Sequence, residues 1–521
     1  MKGFAIVALA TLLLAVAAAP SRAAGPAAEE GERFAIRGFD IMGNTVLTAS
    51  DADAAVAPFV GRRKTSNDVE KARDALESLF HDRGYPTVLV NIPEQAVEGG
   101  RIRLQVVEGR VGTLTVKGNR FVSTERIVAL VPSLSPGRVV YIPAVQADLA
   151  KVNAIPDVRA VPSMTPSADT GIVDVALTVD DARPLHGSVE VSNRAGLDTT
   201  PMRVNASLRY DDLWSKRHSA AVQAQLSPQD LGEVVVLNGS YVMPLPEESD
   251  RRLAFYAVKS NSDIGFGEGF KILGKGYVLG ARYSVPLPPI GRWYHSVSAG
   301  VDWKSFDETV EGVTTRVTYL PFSATWGGSR ADIGGTTQLS ASLSFPLRGV
   351  VTDEEEFAGK RFKARGSYAV AGIGAERRQS LPRRFTLYAK FEGQAASQPL
   401  VSNEQFFAGG MESVRGYREG ETSGDDAVRA TVELLGPPAV LPGGRKGSFL
   451  PFLFADGAFL WTRDPLPGQA DEAKLAGAGL GIRGAAGSSI DFEADAAFAL
   501  SDTDRTESGG FRVHARIRYQ F

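Results

Sequence analysis

The chain has 521 residues, of which 43% are hydrophobic and 22% charged, and a formal net charge of −3, so nothing in its composition points to nucleic acid. It contains no cysteine, which excludes disulfides, thiolate metal sites and a cysteine nucleophile. After residue 24, no apolar run reaches the roughly 18 residues that a membrane-spanning helix needs. A transmembrane β-barrel stays compatible with this composition, because its lipid-facing residues alternate with polar ones.

The N-terminal segment, residues 1–23, has the pattern of an export signal. Lys2 supplies the positive charge, Phe4–Ala19 is apolar, and Ser21–Ala23 has the small residues of a cleavage site. A signal anchor is the alternative, but the apolar stretch is short and no stop-transfer pattern follows. The sequence therefore predicts cleavage before Ala24 and an exported protein.

A repeat follows, in which residues 34–109 and residues 110–183 share one plan. Each module opens with a short strand that ends in a turn-forming pair, Gly43-Asn44 in the first and Gly118-Asn119 in the second. Periodic apolar residues then predict helices, and two alternating segments predict closing strands. The sequence thus predicts two α+β modules of the order β-α-α-β-β.

Residues 185–521 lack the helical period and consist of alternating segments of about ten residues, the length at which a tilted strand crosses a membrane. Sixteen segments are predicted, an even number, as a single-chain bacterial barrel requires. They begin near Leu185, Arg203, His218, Val234, Arg252, Lys275, Ser296, Arg316, Thr336, Phe362, Thr386, Ala427, Phe449, Ala476, Ser488 and Phe511. The longest connection, residues 395–426, is predicted to lie outside the cell. Tyr519 and Phe521 end the chain as a barrel-assembly signature.

The long loop carries the motif Val414-Arg415-Gly416-Tyr417. Here the chain resembles the TpsB outer-membrane transporters of two-partner secretion (the ShlB/FhaC/HecB-like haemolysin secretion proteins), which are relatives of the barrel-assembly protein BamA. In that superfamily the tetrapeptide tips the sixth external loop, which folds into the barrel lumen, and its arginine meets an aspartate on the thirteenth strand. The resemblance implies that Asp456 is the partner of Arg415, with Phe454 beside it. The family usually has Phe-x-Asp-x-Gly, whereas Ala458 occupies the last position here.

These residue types are also physically suited to anchoring a loop inside the barrel lumen. An Arg–Asp pair in a partly desolvated lumen gives a charge-assisted contact that can anchor a loop. Gly416 permits a sharp turn, and Tyr417 adds an aromatic wedge. Because Phe452 and Phe454 share the strand parity of Asp456, we expect both rings to face the lumen.

The resemblance extends to the periplasmic half. Pro93-Glu94-Gln95 and the strand that contains Val106 and Glu108 are similar to the first POTRA domain of TpsB proteins, which implies that these residues recognise the secreted client. Two POTRA modules suit TpsB proteins, whereas assembly factors of the BamA type have more. Since only about ten residues separate Ala24 from Phe34, no plug helix is expected, and the sixth loop is expected to do most of the closing.

Other polar residues receive simpler interpretations. The five histidines show no ligand spacing, so no metal site is predicted. The acidic run Asp353–Glu356 is interpreted as a solvated external loop, and Asp491, Glu493 and Asp495 as residues that line a water-filled pore rather than a cation site. No catalytic set can be placed, so neither an enzyme nor a cofactor is predicted.

The resemblance implies an outer-membrane translocase with periplasmic POTRA domains that exports an unfolded, secreted TpsA-like partner. Its other expected partners are outer-membrane lipids and the barrel assembly machinery that inserts it. An insertase of the BamA type is the alternative function, and a plain porin is a third, less favoured one.

Overall fold

The computed structural model describes residues 33–97, 99–196, 199–246, 249–262, 274–310, 313–347, 349–440 and 447–521. The predicted signal peptide lies outside these residues. The chain divides into two compact units: residues up to Ala154 with Val158–Asp181, and Ile155–Asp157 with Ala182–Phe521. Within the described residues, no helix is both long enough and apolar enough to cross a membrane.

The first POTRA module packs two helices on a three-stranded sheet. Its elements are β1 (Phe34–Ile36), β2 (Gly38–Met42), α1 (Ala49–Val56), β3 (Gly61–Lys64), α2 (Ser66–Asp82), β4 (Leu89–Asn91) and β5 (Arg101–Val107). The sheet order is β2-β5-β4, with β2 parallel and β4 antiparallel to β5, and β1 pairs separately with β3. Helix α2 begins at a capping box between Thr65 and Asp68 and buries Leu76 and Phe80 in the core.

The second POTRA module repeats this plan without the extra ribbon of β1 and β3. Its elements are β6 (Arg110–Lys117), α3 (Thr124–Leu130), α4 (Ile142–Asn153), β7 (Val158–Pro166) and β8 (Ile172–Asp181). The sheet order is β6-β8-β7, with β6 parallel to β8. The β-α-α-β-β prediction is therefore confirmed for both modules.

A carboxylate at the end of the last strand holds the Gly-Asn turn in each module. Glu108 accepts hydrogen bonds from the backbone N–H and the hydroxyl of Thr45, at 2.5 and 2.6 Å. Asp181 accepts from the backbone N–H groups of residues 120–122, at 2.8–2.9 Å. Burial alone would raise the pKa of Asp181, but these donors bind its charged form and place the pKa below its ordinary value. The two modules therefore share not only their strands and helices but also a carboxylate that holds the Gly-Asn turn.

Sixteen antiparallel strands close a barrel in the part of the chain that the structure describes. The strands and the elements in their loops are β9 (Leu185–Ser192), β10 (Arg203–Leu213), β11 (His218–Leu226), β12 (Val235–Pro244), β13 (Arg252–Ser262), β14 (Gly274–Ile290), β15 (Trp293–Val310), β16 (Val313–Tyr319), β17 (Pro321–Asp332), β18 (Gly335–Pro346), α5 (Glu354–Lys360), β19 (Val370–Ser380), β20 (Thr386–Ala396), β21 (Phe406–Ala408), β22 (Thr422–Gly424), β23 (Asp426–Leu435), β24 (Ala439–Val440), β25 (Gly447–Trp461), β26 (Glu472–Ala486), β27 (Ile490–Ala499) and β28 (Phe511–Gln520). β16 and β17 both pair with β15, and β23 and β24 both pair with β25, so each couple forms one interrupted strand.

The predicted strand starts lie within four residues of the observed ones in fifteen strands, and the tenth prediction is wrong. That strand was predicted from Phe362 but begins at Val370. The residues between them belong to the loop that contains α5, where Ala364 and Tyr368 are buried. Ala364 and Tyr368 are spaced like the inward residues of a strand because both pack in the apolar cluster that contains Phe357 and Tyr319.

The acidic run Asp353–Glu356 caps and begins helix α5; Asp353 and Glu355 are exposed, as predicted, but Glu354 and Glu356 are partly buried, which corrects the prediction of a solvated loop. Asp353 caps α5, and Phe357 on this helix is fully buried against Tyr319 on the inner side of the barrel wall. Glu356 accepts a hydrogen bond from the backbone N–H of Thr318 at 2.7 Å. The fifth external loop therefore folds into the mouth of the barrel, so it occupies part of the lumen entrance together with the sixth external loop.

Candidate functional site

The connection between β20 and β23, residues 397–425, is named loop 6 here. Its strands β21 and β22 pair as a short hairpin. Val414 and Tyr417 near its tip are completely buried, and they pack with Ala427, Leu460 and other inward-facing residues of the barrel wall. Loop 6 therefore lies inside the lumen.

Arg415 contacts Asp456 on β25 through three hydrogen bonds. Its Nε and Nη2 donate to the two carboxylate oxygens at 2.8 and 2.9 Å, and its backbone N–H donates at 3.1 Å. The Arg415 side chain is 3% exposed and that of Asp456 is 0% exposed. A forked, buried pair of this kind fixes both the position and the direction of the loop tip.

Two further carboxylates and an aromatic ring complete the pocket around the guanidinium. Arg415 Nη1 donates to Glu433 on β23 at 2.8 Å and lies 3.8 Å from Asp495 on β27. The ring centroid of Phe454 lies 3.5 Å from the guanidinium carbon, so the cation stacks on the ring. Phe452 and Phe454 both face the lumen, as the parity argument predicts. One arginine thus bridges three barrel strands.

Gly416 and Tyr417 hold the backbone of loop 6 against the barrel wall. Gly416 has φ +101°, and a side chain there would meet the backbone of Phe498 at 2.9 Å. Its N–H donates to His514 Nε2 at 3.3 Å. The Tyr417 hydroxyl donates to the Ser501 carbonyl at 2.8 Å. On β26, Gly477 leaves the space that the Arg415 carbonyl occupies.

The departure from the family pattern at Ala458 does not disturb the strand. β25 runs without a break from Gly447 to Trp461 and keeps a continuous register with β26. Ala458 is buried in the cluster that contains Val414, so its methyl group fills space beside the loop.

A second carboxylate, Asp425, holds the base of loop 6. It is fully buried and accepts two hydrogen bonds from Arg361, at 2.9 and 2.7 Å. The backbone N–H groups of Leu400 and Arg463 donate to it as well, at 3.0 and 2.7 Å. Because Arg361 follows α5, this contact joins the fifth external loop to loop 6.

The interpretation of Asp491, Glu493 and Asp495 as pore-lining residues needs correction. Glu493 accepts from Arg483 and from Arg516, at 3.0 and 2.8 Å, and Asp491 accepts from Arg518 at 3.0 Å. Glu493 and Asp495 are buried. Glu493 and Asp495 therefore belong to the ion-pair network under loop 6, whereas Asp491 pairs with Arg518 and stays partly exposed.

The predicted client-contacting residues of the first POTRA module fall into two groups. Val106 lies in the core and Glu108 is buried at the Thr45 turn, and this burial removes both from a docking surface. Glu94 is exposed. Gln95 donates to the Arg103 carbonyl at 2.9 Å and accepts from its N–H at 2.7 Å, so its amide ties the segment to β5.

The outer strand of each POTRA sheet is partly capped by the helix beside it. Val90 on β4 donates its N–H to Glu77 of α2 at 2.8 Å, and Ala160 on β7 donates to Asn153 of α4 at 2.7 Å. An incoming strand has to displace these caps to pair with the backbone.

The C-terminal residues close the barrel against its first strand. Phe521 and Gly187 exchange backbone hydrogen bonds at 3.0 and 3.2 Å, and a side chain at position 187 would collide with the Phe521 ring. Tyr519 and Phe521 are both about half exposed on the outer surface.

Among the described residues, one group has the donor atoms of a metal site: Asp157, His186 and Asp211. His186 Nε2 lies 2.8 Å from Asp157, and Arg209 donates to Asp211 at 2.9 Å. His186 therefore contacts Asp157, and Arg209 forms an ion pair with Asp211.

The sequence interpretation missed Glu433, Asp425 and His514 as parts of the site. For Glu433 a signal is present, since Arg429, Thr431 and Glu433 alternate with apolar residues and so share the lumen side of β23. His514 has the same signal, since Arg512, His514 and Arg516 alternate with apolar residues on β28. Asp425 lies before the first residue of β23, and its contacts join segments that are at least 20 residues apart in the chain.

Two POTRA modules followed by a closed barrel that holds an Arg-anchored loop in its lumen define the class of outer-membrane transporters of the POTRA–barrel superfamily. A family model of the ShlB-type POTRA domain matches residues 34–109, and that of the haemolysin secretion/activation protein ShlB/FhaC/HecB matches residues 294–484. The chain belongs to this ShlB/FhaC/HecB family, and it is an outer-membrane protein with periplasmic POTRA domains.

Curated relatives match most of this chain, and solved structures share its fold. The chain is 20% identical to the heme/hemopexin transporter protein HuxB of Haemophilus influenzae and 22% identical to the outer membrane transporter CdiB of Dickeya dadantii, in each case over 76% of this chain and 71% of the relative. CdiB from Escherichia coli matches with a TM-score of 0.64 at 20% identity over 95% of this chain and 92% of that one. BamA from Haemophilus ducreyi lacking POTRA domains 1-3 matches with a TM-score of 0.56 at 15% identity over 94% and 100%.

Proposed function

We propose that this transporter exports one unfolded, secreted partner of the TpsA type, and that loop 6 is the gate of its channel. The observation that carries the gate is the Arg415 pocket. The loop is held in the lumen by polar contacts, which can break and re-form, rather than by continuous strand pairing. A plug of this kind closes the pore at rest and can leave it during transport.

Client recognition is proposed at the β4 edge of the first POTRA module. An extended client segment adds to β4 after it displaces Glu77 from the Val90 N–H, and main-chain hydrogen bonds supply the affinity. Leu89 and Ile92 are exposed at this edge and offer apolar contacts. Folding of the client outside the cell then makes its passage irreversible, since no nucleotide motif supplies energy.

Deletion of residues 34–109 tests the recognition role. The barrel has its own sheet and core, so it should still reach the outer membrane and show heat-modifiable migration on a gel. Client export should be lost. Unchanged export by this deletion variant would remove POTRA recognition from the account.

Insertion of other barrels into the membrane is the second candidate function, and one observation favours it. The first and last strands share a ladder of five residue pairs, to which Gly187 and Phe521 add a sixth, whereas β9 and β10 share eight. A short seam opens more easily. Depletion of this chain distinguishes the two functions: an insertase would lower the abundance of other outer-membrane barrels, whereas a secretion transporter would affect its client alone.

A further inference from the structure

The outer end of the first barrel strand changes its pairing partner. Ser188–Ser192 of β9 pair with Arg516–Gln520 of β28 along the seam where the barrel closes. A few residues later the Ala195 carbonyl accepts a hydrogen bond from the N–H of Glu419 at 3.2 Å, and Gly196 forms a parallel bridge with Glu419. Because Glu419 belongs to loop 6, the first strand continues along the gate loop rather than along the last strand.

One side chain marks the point where the seam ladder ends. The Asn193 amide donates to the Val513 carbonyl at 2.7 Å and accepts from the Ala515 N–H at 2.8 Å. Its own backbone N–H donates to the Ala515 carbonyl at 3.2 Å. A single asparagine thus takes the place of further backbone pairs, and the outer part of the seam relies on another support.

Arg194 provides a charged link from the first strand to both sides of the loop tip. It donates to Glu412 at 2.8 Å and to Glu419 at 3.1 Å, and these two glutamates flank the Val414–Tyr417 motif. Arg516 on the last strand lies 3.8 Å from Glu412. Charges from both sides of the seam therefore converge on loop 6.

We infer that loop 6 forms the outer part of the seam between the first and last barrel strands, and that Arg194 is a positioning residue that holds it there. The inference rests on the proposed gate and deepens it: loop 6 cannot leave the lumen without releasing the outer end of the first strand. Opening of the pore and loosening of the outer seam are then one event.

Disulfide locks can test this coupling cleanly, since the chain has no cysteine of its own. Gly196→Cys with Glu419→Cys should tie the loop to the first strand when oxidised, because bridged residues lie within disulfide range. In planar bilayers the oxidised protein should lose the conductance fluctuations of the reduced protein, and in cells oxidation should stop export. Reductant should restore both, measured against Glu419→Cys alone.

Two matched locks serve as controls. Val191→Cys with Ile517→Cys crosslinks the part of the seam where the first and last strands pair directly, and Leu343→Cys with Ala371→Cys joins two strands far from it. Neither lock should change the fluctuations or export. Unchanged fluctuations with the 196–419 lock, or their loss with the 191–517 lock, would overturn the inference. Loss of fluctuations without loss of export would support the coupling and contradict the proposed export role of the gate.

Variants of Arg194 supply a second, independent readout. Arg194→Ala should make conductance fluctuations about tenfold more frequent, as expected for loss of charge-assisted hydrogen bonds. Arg194→Lys should increase the fluctuations less than Arg194→Ala does, because it keeps one cation near Glu412 and Glu419. Arg378→Ala, which removes a lumen arginine paired with Glu376 on its own strand, should behave as the unmodified protein. Equal effects of the Arg194 and Arg378 substitutions would show that Arg194 has no positioning role.

Discussion

The two sides of the barrel lumen differ sharply in chemistry. The side formed by β25–β28, named the anchor wall here, presents charged and aromatic residues that contact loop 6 or one another: Phe452, Phe454, Asp456, Arg483, Asp491, Glu493, Asp495, His514, Arg516 and Arg518. The side formed by β15, β17, β18 and β19 is named the small-residue wall. On the face opposite to the exposed Val297, Leu343 and Ile373 it presents mainly small residues: Ser296, Ser298, Ser323, Thr325, Gly327, Ser340, Ser342, Gly372 and Gly374. This face also carries charged residues: Asp302 and Lys304 on β15, and Glu376 and Arg378 on β19.

The difference shows which part of the barrel wall needs particular side chains to bind a loop. Arg415 needs a forked carboxylate, a second acceptor and an aromatic face, and the anchor wall supplies Asp456, Glu433 and Phe454 at these places. The small-residue wall contacts loop 6 at its outer end, where Lys304 on β15 donates to Glu404 at 2.6 Å. Its serine, threonine and glycine positions lie outside the pocket that binds Arg415, so short side chains suffice there. Substitutions on the two walls should therefore differ strongly in their effects.

The largest effect is expected for Arg415→Ala. It leaves Asp456, Glu433 and Asp495 close together without their shared cation, a cost of about 3–5 kcal/mol for a buried pair that has lost one partner. The barrel should assemble, because its backbone ladder is untouched, and export should fall severely. Arg415→Lys keeps the charge but loses the fork, so it should restore only part of the export. Full export by Arg415→Ala would contradict the anchoring role.

Within the anchor wall, the carboxylates should rank by their contacts with Arg415. Asp456 accepts three hydrogen bonds, Glu433 accepts one, and Asp495 lies 3.8 Å away. Conductance fluctuations should therefore increase most in Asp456→Ala, less in Glu433→Ala, where a loss of about 1.5–3 kcal/mol is expected, and least in Asp495→Asn. A different order would show that direct contact does not determine how firmly the loop is seated.

An intermediate effect is expected at the base of loop 6. Arg361→Ala removes two donors from Asp425, but the backbone N–H groups of Leu400 and Arg463 remain. Export should fall less than in Arg415→Ala. Limited proteolysis on intact cells should cut the fifth external loop faster, while Lys363→Ala, which removes an exposed ion pair of the same loop with Asp464, serves as the control.

The smallest effect is expected on the small-residue wall. Ser342→Ala removes a hydroxyl from a position outside the pocket that binds Arg415, and a change of less than about 0.5 kcal/mol in the free energy of unfolding is expected. Export and conductance should match those of the unmodified protein. A severe defect in this variant would erase the distinction between the two walls.

The barrel was accessible from sequence because strand alternation is a local pattern, whereas the pairing of Arg415 with Asp456 was implied by the resemblance to TpsB proteins. Strand alternation located β25, and parity placed Phe454 beside Asp456 on its inner face. The fifth external loop was misread, since the helix at Glu354–Lys360 and its fully buried Phe357 depend on contacts with distant strands. Burial of Val106 and Glu108 likewise follows from tertiary packing, which a motif shared with relatives does not reveal.

The most direct measurement of the central claim is a double-mutant cycle on Arg415 and Asp456 in planar lipid bilayers. Loop 6 is anchored by their contact, so Arg415→Ala and Asp456→Ala should each increase conductance fluctuations, and the double variant should be no worse than either single one. The same pattern should appear in client export. Independent, additive effects of the two substitutions, or unaltered fluctuations in both, would contradict the account of loop 6 as a gate held by this pair.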